Sequence, residues 1–244
     1  MKRVKLPSGE TVGALGLGTW RMPSGGAGRA EELATLRLAL DLGVTLIDTA
    51  EMYGEGEAEE LIGEALAGRR DEACIVSKVY PQNASRTGVV EACERSLKRL
   101  GTDRIDLYLL HWRGAIPFAE TLDGFMALQR AGKIRHYGVS NIDIGGMQEL
   151  WRLPGGPAIA TNQLYYNLAR RGLEWDLLPW CRRHGVPIMA YSPIDEGKLA
   201  NHKKLATLGR TVGLTAAQLV LAWLLRNDDV IVIPKTGRRE RLRE

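Results

Sequence analysis

Four residues with side chains that could take part in proton transfer lie at or near the ends of short apolar runs in the first half of the chain. Asp48 follows the run 44–47, and Tyr53 stands nearby in a loop that contains glycine. The next apolar run leads into Lys78, and the one after it into His111. A carboxylate and a phenol in one loop suit proton transfer, although an acid at such a position can also serve only as a helix cap.

The spacing of these residues matches a repeat of one strand and one helix. Helical patterns cover residues 29–42, 57–66, 87–100, 118–131, 145–150, 173–184 and 215–226. Strands are predicted for the short apolar runs 14–17, 44–47, 74–77, 105–110, 134–139, 158–161, 186–190 and 230–233. Eight such units predict a (β/α)8 TIM barrel, in which the carboxyl ends of all strands meet at one mouth and carry the active site.

Two segments fall outside this repeat. A short β-hairpin is predicted before the first unit, with a turn at residues 7–10. An extra helical stretch, 200–208, lies in the insertion 195–211, which could be a cofactor-covering loop or a plain surface loop. The glycines near the first strand do not indicate a Rossmann fold, because Trp20 and Pro23 follow where a phosphate-binding helix should begin.

The composition limits the functional class. The 244 residues fit one barrel domain, 1–244, and the net charge of +4 is modest. A nucleic-acid partner would need a broad basic face with stacking aromatics, and none is predicted. The 3 cysteines are widely spaced, no apolar run approaches a membrane span, and the N-terminus has no signal-type core. We therefore expect a cytoplasmic monomer that binds neither nucleic acid nor membrane.

The motifs around the four residues resemble those of the aldo-keto reductase family. Asp48, Tyr53, Lys78 and His111 are similar in type and order to its catalytic tetrad. The other matching motifs are Gly16-Leu17-Gly18-Thr19-Trp20, Asp48-Thr49-Ala50, His111-Trp112, Gly138-Val139-Ser140-Asn141, Tyr191-Ser192-Pro193 and Ile233-Pro234-Lys235. The resemblance runs from about residue 12 to the last residue. It implies NADPH-dependent reduction of aldehydes or ketones on a barrel whose lower end is plugged by the hairpin.

A carbonyl reduction of this kind needs a proton donor, and we expect it to be Tyr53. The ordinary pKa of a phenol is about 10, and an ammonium group about 4 Å away would lower it by roughly three units at an effective dielectric constant near 20. Lys78 is expected to have this effect while Asp48 keeps it charged. His111 is expected to orient the carbonyl oxygen, although a lone histidine at a strand end is often only a hydrogen-bonded core residue.

The resemblance also implies where NADP(H) and the substrate bind. Ser140, Asn141 and Gln163 are assigned to the nicotinamide carboxamide, although serine and asparagine are also common in ordinary caps and turns. The other predicted cofactor residues are Thr19, Trp20, Asp48, Tyr191 (stacked on the ring), Ser192 and Ile194 (near the pyrophosphate), Lys235, Thr236, Gly237, Arg238, Arg241 and Glu244 (at the adenine edge). The predicted substrate pocket consists of Trp20, Tyr53, His111 and Trp112. Trp175, Trp180 and Trp223 are expected to pack in the interior.

Several alternatives remain open from the sequence. The basic residues after the last strand could be a solvated helix face instead of a 2′-phosphate site. The barrel could hold its nucleotide as a ligand and act through partners, as the potassium-channel β-subunits of this family do. A Schiff-base lyase using Lys78 fits less well, because Asp48 would hold the lysine charged. A metal site is not predicted, because the remaining histidines, 136, 184 and 202, are scattered.

The end of the chain leads to a further expectation. The helical run 238–244 has no C-cap glycine, whereas the family's members continue with a tail across the barrel mouth. Without that tail we expect an open mouth, loose substrate selectivity and weaker cofactor binding, with Glu244 on a frayed turn whose carbonyls are unpaired. The alternative is that this helix caps itself and the short form works equally well.

Overall fold

Eight parallel strands form the centre of the molecule, as the computed structural model of residues 2–23 and 28–244 shows. A separate antiparallel hairpin precedes them. In chain order the strands are β1 (Arg3–Lys5) and β2 (Thr11–Gly13) of the hairpin, then β3 (Gly16–Gly18), β4 (Leu46–Asp48), β5 (Cys74–Val79), β6 (Ile105–Leu110), β7 (Ile134–Ser140), β8 (Asn162–Tyr165), β9 (Ile188–Tyr191) and β10 (Val230–Val232). Each strand from β3 to β10 pairs in parallel with the next one along the chain.

Contacts between the first and last of these strands close the barrel. Leu15 bridges Val232, and Gly18 bridges Lys235, both in the parallel sense. The amide of Gly18 donates to the carbonyl of Pro234 at 2.8 Å. The predicted (β/α)8 barrel is therefore confirmed, and so is the hairpin.

Helices between the strands cover the outside of the barrel. They are α1 (Arg29–Asp41), α2 (Glu57–Ala65), α3 (Arg86–Leu100), α4 (Phe118–Arg130), α5 (Ile144–Trp151), α6 (Leu177–Arg183), α7 (Lys203–Thr211), α8 (Ala216–Leu225) and α9 (Arg239–Arg243). Their ends follow local sequence signals: Ser85 caps α3, and Gly101 ends it with φ 60°. Thr215 forms a capping box with Gln218 at the start of α8.

Some predicted boundaries are wrong for identifiable reasons. The apolar run 158–161 precedes β8 instead of forming it, because β8 begins with two buried polar residues whose side-chain amides donate hydrogen bonds to other parts of the chain. One of these, Gln163, lies within the strand and not after it. The predicted helix 173–184 is divided into a 3-10 turn and α6, since the side chain of Asp176 caps the amide of Leu177. The extra helix, α7, begins at residue 203 and not 200, because His202 is its N-cap.

Among residues 2–23 and 28–244, three buried clusters hold the layers together. The largest one lies between helices and strands, and Trp180 belongs to it. The second largest joins Val4 of the hairpin to strand residues such as Leu46 and Leu107. Trp223 packs edge-on against Tyr166, but Trp175 is 89% exposed, so its predicted packing role is wrong.

Helix lengths also bear on membrane insertion. Within residues 2–23 and 28–244, no single helix has the length and apolar character of a membrane span. Helices α7 and α8 reach that length only as a pair, which is bent by 77°.

Candidate active site

A cavity of about 640 Å³ opens at the carboxyl ends of the barrel strands. This volume lies within the usual range for small-molecule sites. The predicted site residues that line it are Trp20, Asp48, Tyr53, His111, Trp112, Ser140, Asn141, Gln163, Tyr191, Ser192, Ile194, Lys235 and Arg241. Seven loops or strand ends that are distant in sequence therefore converge on one space, as expected for the mouth of such a barrel.

Lys78 lies fully buried beneath the cavity and connects two of its lining residues. Its Nζ lies 2.9 Å from each carboxylate oxygen of Asp48 and donates to the carbonyl of Thr49 at 2.6 Å. The phenolic oxygen of Tyr53 is 3.4 Å from the same nitrogen. Thr19 is buried on the far side, where its hydroxyl donates to the carbonyl of Asp48 at 2.9 Å and so fixes the end of β4.

The electrostatics of this group differ from the sequence-based prediction. Burial alone would lower the pKa of Lys78, but the carboxylate of Asp48, together with Tyr53, raises it, so the lysine is charged. Burial raises the pKa of Tyr53 above the ordinary value, while Lys78 opposes this shift and Asp48 adds to it. The prediction that Lys78 brings this pKa near 7 is therefore wrong, because desolvation of the phenolate outweighs a cation that Asp48 largely neutralises.

His111 forms the next side of the cavity. Its ring lies edge-on to Tyr53, with centroids 5.9 Å apart, and tilts against Trp112 at 4.8 Å. Burial and the nearby charge of Lys78 lower the pKa of His111 to about 3, so the imidazole is neutral near pH 7. Within the described part of the chain, the buried Nδ1 of this ring has no hydrogen-bond partner.

Next to His111, amide, hydroxyl and aromatic groups form a connected polar wall. Asn141 has a φ of 58°, a left-handed conformation that asparagine tolerates better than most residues. Its amide donates to the carbonyl of His111 and to the hydroxyl of Ser140, both at 3.1 Å. Tyr191 donates to the side-chain oxygen of Asn141 at 2.9 Å, and Gln163 donates to Asp48 at 2.7 Å. These groups therefore hold one another at fixed positions along the wall.

Tyr165 supports this wall, although it is not among the predicted site residues. Its ring stacks on that of Tyr191, with centroids 5.3 Å apart and planes 12° from parallel. Its hydroxyl donates to Asp195, in the loop after β9. Tyr165 is the last residue of β8, so a correct boundary for this strand would have indicated it. The other lining residues not predicted are Gly18, Arg21, Met52, Pro193, Glu196, Gly197 and Ile233.

The predicted basic cluster after β10 is only partly directed at the cavity. Lys235 and Arg241 line it, whereas Thr236, Gly237, Arg238 and Glu244 do not. The hydroxyl of Thr236 accepts from the amide of Arg238 at 3.2 Å, so this pair shapes the turn that leads into α9. The carbonyl of Glu244 accepts from the side chain of Gln218 at 2.6 Å, which contradicts the expectation that it is unpaired.

The groups around the cavity suit a dinucleotide better than a metal ion. Cationic side chains at one end can pair with phosphate, and an aromatic ring with amide and hydroxyl groups can hold a planar amide-bearing ring. In contrast, no group of three or more His, Cys, Asp and Glu side chains among residues 2–23 and 28–244 is arranged to hold a metal ion.

Comparisons with known proteins point to one family. The model of the aldo/keto reductase family matches residues 14–244. A methylglyoxal reductase of Escherichia coli (strain K12) is 47% identical over 241 residues, covering 97% of this chain and 85% of the relative. A methylglyoxal reductase of Salmonella typhimurium is 31% identical over 238 residues, covering 95% and 85%. The crystal structure of an aldo/keto reductase from Klebsiella pneumoniae in complex with NADP and acetate has a TM-score of 0.95 at 48% identity, covering 99% of this chain and 87% of that one.

Proposed function

Because the chain belongs to the aldo/keto reductase family, we propose that it is an NADPH-dependent reductase that converts aldehydes or ketones to alcohols. One observation of the site carries the proposal. Lys78 is paired with Asp48 at 2.9 Å and reaches the hydroxyl of Tyr53 at 3.4 Å, directly beneath a cavity of suitable size. The relatives' names indicate small carbonyl compounds as the substrate class.

Tyr53 is the general acid in this proposal. When NADPH is bound, its nicotinamide supplies the hydride that no side chain can provide. The carbonyl oxygen then needs a proton, and the phenol is the acidic group that faces the cavity. A raised pKa suits this role, because it keeps the phenol protonated at neutral pH. Transfer remains favourable because an alkoxide is about as basic as hydroxide, the conjugate base of water with a pKa of about 15.7.

Lys78 and Asp48 support the acid in different ways. The charged ammonium group stabilises the phenolate that remains after proton transfer, because the two groups lie 3.4 Å apart in a buried site. Asp48 compensates for the burial of Lys78 and holds it in place through both carboxylate oxygens. His111 is neutral, so it can donate a hydrogen bond that orients the carbonyl oxygen without competing as a proton source.

The polar wall and the cationic end of the cavity are proposed to hold NADP(H). Ser140, Asn141 and Gln163 carry the hydroxyl and amide groups for the carboxamide, and the ring of Tyr191 is the stacking surface. The other residues proposed for cofactor contact are Thr19, Trp20, Asp48, Ser192, Ile194, Thr236, Gly237, Arg238 and Glu244. Of these, the cavity-lining ones are the stronger candidates, since they face the space itself.

Lys235 and Arg241 are proposed to distinguish NADP(H) from NAD(H). Both are cationic residues that line the cavity after β10. Hydrogen bonds to charged groups contribute roughly 1.5–3 kcal/mol each, so two made only with the 2′-phosphate give a preference of about a hundredfold or more.

Two tryptophans are proposed as the apolar walls of the substrate pocket. Trp20 is 39% exposed and is covered on one face by the guanidinium of Arg21 at 4.0 Å. Trp112 stands against His111, and both tryptophans line the cavity. A small carbonyl compound between these rings would have its oxygen near Tyr53 and His111.

The alternatives considered from the sequence are less well supported. The relatives reported above are named reductases, which does not favour a regulatory nucleotide-binding barrel. A Schiff-base lyase needs a neutral lysine, whereas the pKa of Lys78 is raised by Asp48 and Tyr53 against the effect of burial.

We also propose a cytoplasmic monomer that requires neither nucleic acid nor a membrane. The cysteines at positions 74, 93 and 181 are free thiols, which is typical of a reducing compartment. Light scattering on the purified protein and cell fractionation test the two parts separately.

Consumption of NADPH, followed by absorbance, tests the main proposal. Methylglyoxal and a reactive aromatic aldehyde are the first substrates, with NADH as the comparison cofactor. We expect turnover of at least one carbonyl compound with NADPH, in a stoichiometry of one alcohol per NADPH oxidised. Tight binding of NADPH without oxidation across aldehydes, ketones and keto esters would instead support the regulatory barrel.

A further inference from the structure

We propose that Glu51 is a positioning residue that sets the size selectivity of the substrate pocket through Trp112. The inference rests on the proposed function, because it concerns the same pocket. Glu51 lies in the loop between Asp48 and Tyr53, but its side chain points away from the cavity and is 6% exposed. A buried carboxylate outside the catalytic group requires an explanation, because burial of such a charge is costly unless it is paired and hydrogen-bonded.

The partners of the Glu51 side chain all belong to the segment that follows β5. One carboxylate oxygen accepts the amide of Tyr80 at 2.7 Å and the side-chain amide of Asn83 at 3.0 Å. The other lies 3.7 Å from the guanidinium of Arg95 in α3. Glu51 therefore fixes both ends of the 3-10 turn Pro81–Asn83 from a single side chain.

This 3-10 turn supports the loop that carries Trp112. The ring of Tyr80 meets Trp112 edge-on, with centroids 5.9 Å apart and planes 89° from parallel. Two residues after Trp112, the backbone of Gly114 approaches so closely that an added Cβ would lie 2.7 Å from the Cβ of Pro81. The pocket wall therefore rests on a turn that Glu51 holds in position.

Loss of the carboxylate should loosen the wall while leaving the chemistry in place. The amide of Tyr80 would lose its acceptor, and the turn would relax to find another. Trp112 would then restrict the size of the substrate pocket less, so a bulky substrate would be accepted more readily. Lys78 and its partners have no hydrogen bond to the side chain of Glu51, so reduction of a small aldehyde should be retained.

Steady-state kinetics with a small and a bulky aldehyde test this inference. The ratio to compare is kcat/KM for methylglyoxal divided by kcat/KM for a naphthaldehyde. For Glu51→Ala we expect this ratio to fall about fivefold or more, because a buried hydrogen-bond acceptor is lost. The change should appear mainly in KM for the bulky substrate. Glu51→Gln keeps an acceptor oxygen and should restore most of the wild-type ratio. Glu60→Ala, an exposed glutamate in α2, is the matched control.

Two measurements separate positioning from a general loss of structure. The dissociation constant for NADPH, obtained from fluorescence, should change less than about twofold. The reason is that the lost hydrogen bond affects only the side of the substrate pocket that Trp112 forms. A crystal structure of the variant should show Trp112 displaced. If Glu51→Ala does not fold, Asn83→Ala removes one of the two hydrogen bonds between this turn and Glu51 and should shift the ratio in the same direction by a smaller amount.

The outcomes distinguish this inference from the proposed function. If Trp112→Ala alters the ratio and Glu51→Ala does not, the inference is wrong and the pocket assignment stands. An equal loss of activity for both aldehydes, together with weaker NADPH binding, would also overturn it, since this indicates a merely structural residue. If the wild-type protein reduces neither these two aldehydes nor any of the other aldehydes, ketones and keto esters, the proposed function itself fails.

Discussion

A neutral, buried His111 should make the stability of the protein depend on pH in a calculable way. The folded-state pKa of this imidazole is lowered to about 3 by burial and by Lys78, whereas in the unfolded chain it returns to about 6.5. Between these two values the unfolded state binds one more proton than the folded state. Stability from this group is therefore fully present above pH 6.5 and is lost as the pH falls toward 3.

The magnitude follows from the same two pKa values. Each pH unit in this window corresponds to about 1.4 kcal/mol for one proton. Between pH 7.5 and pH 5.0 the unfolded imidazole becomes almost fully protonated, which gives a loss of about 2 kcal/mol in the free energy of unfolding. His111→Gln removes the titrating group while keeping a neutral polar side chain, so the variant should lack this part of the pH dependence.

Urea unfolding of both proteins at pH 7.5 and pH 5.0 measures this difference. The quantity to compare is a double difference: the change in the free energy of unfolding between the two pH values in the wild type, minus the same change in His111→Gln. Other titrating groups are common to the two proteins, so their contributions cancel in this double difference. A double difference below about 0.5 kcal/mol would mean that His111 is not held neutral by its surroundings, because the linked loss is calculated at about 2 kcal/mol.

Two further predictions concern the charged residues of the site. Lys78→Met leaves the buried carboxylate of Asp48 without its cation, so the free energy of unfolding should fall by about 3–5 kcal/mol in urea titrations at pH 7; a loss below about 1 kcal/mol would contradict the buried ion pair. Arg241→Ala should raise KM for NADPH by about tenfold or more with little change for NADH, since one charged hydrogen bond to the 2′-phosphate is lost. Arg243→Ala, an equal change of charge in the same helix but outside the cavity lining, is its control, and equal effects of the two substitutions would refute the assignment.

Much of the barrel is predictable because local patterns agree with the packing. The predicted strand 105–110 is β6 as observed, since all its residues are buried and five of the six are apolar. Helix α3 begins after Ser85 and ends at Gly101, where capping signals are plain in the sequence. In contrast, the predicted strand 158–161 lies four residues before β8, because Asn162 and Gln163 are polar residues whose burial depends on hydrogen bonds made by distant parts of the chain.

The candidate site, like the barrel, could be predicted only in part from the sequence. Asp48, Tyr53, Lys78 and His111 could be predicted because each stands at or near a strand end, and parallel strand ends converge. The pKa of Tyr53 could not be predicted, because its direction depends on how completely the phenol is buried. The stacking of Tyr165 on Tyr191 likewise depends on the register of β8 with β9.

Replacement of the phenol by phenylalanine at position 53 tests the central claim most directly. Tyr53→Phe removes only the hydroxyl that reaches Lys78 at 3.4 Å, so binding of NADPH measured by fluorescence should remain nearly unchanged. Because general acid catalysis contributes typically 10²–10⁴-fold, kcat for aldehyde reduction should fall by at least about a hundredfold. A variant that keeps more than about a tenth of the wild-type kcat, a loss below about 1.4 kcal/mol, would show that Tyr53 is not the proton donor.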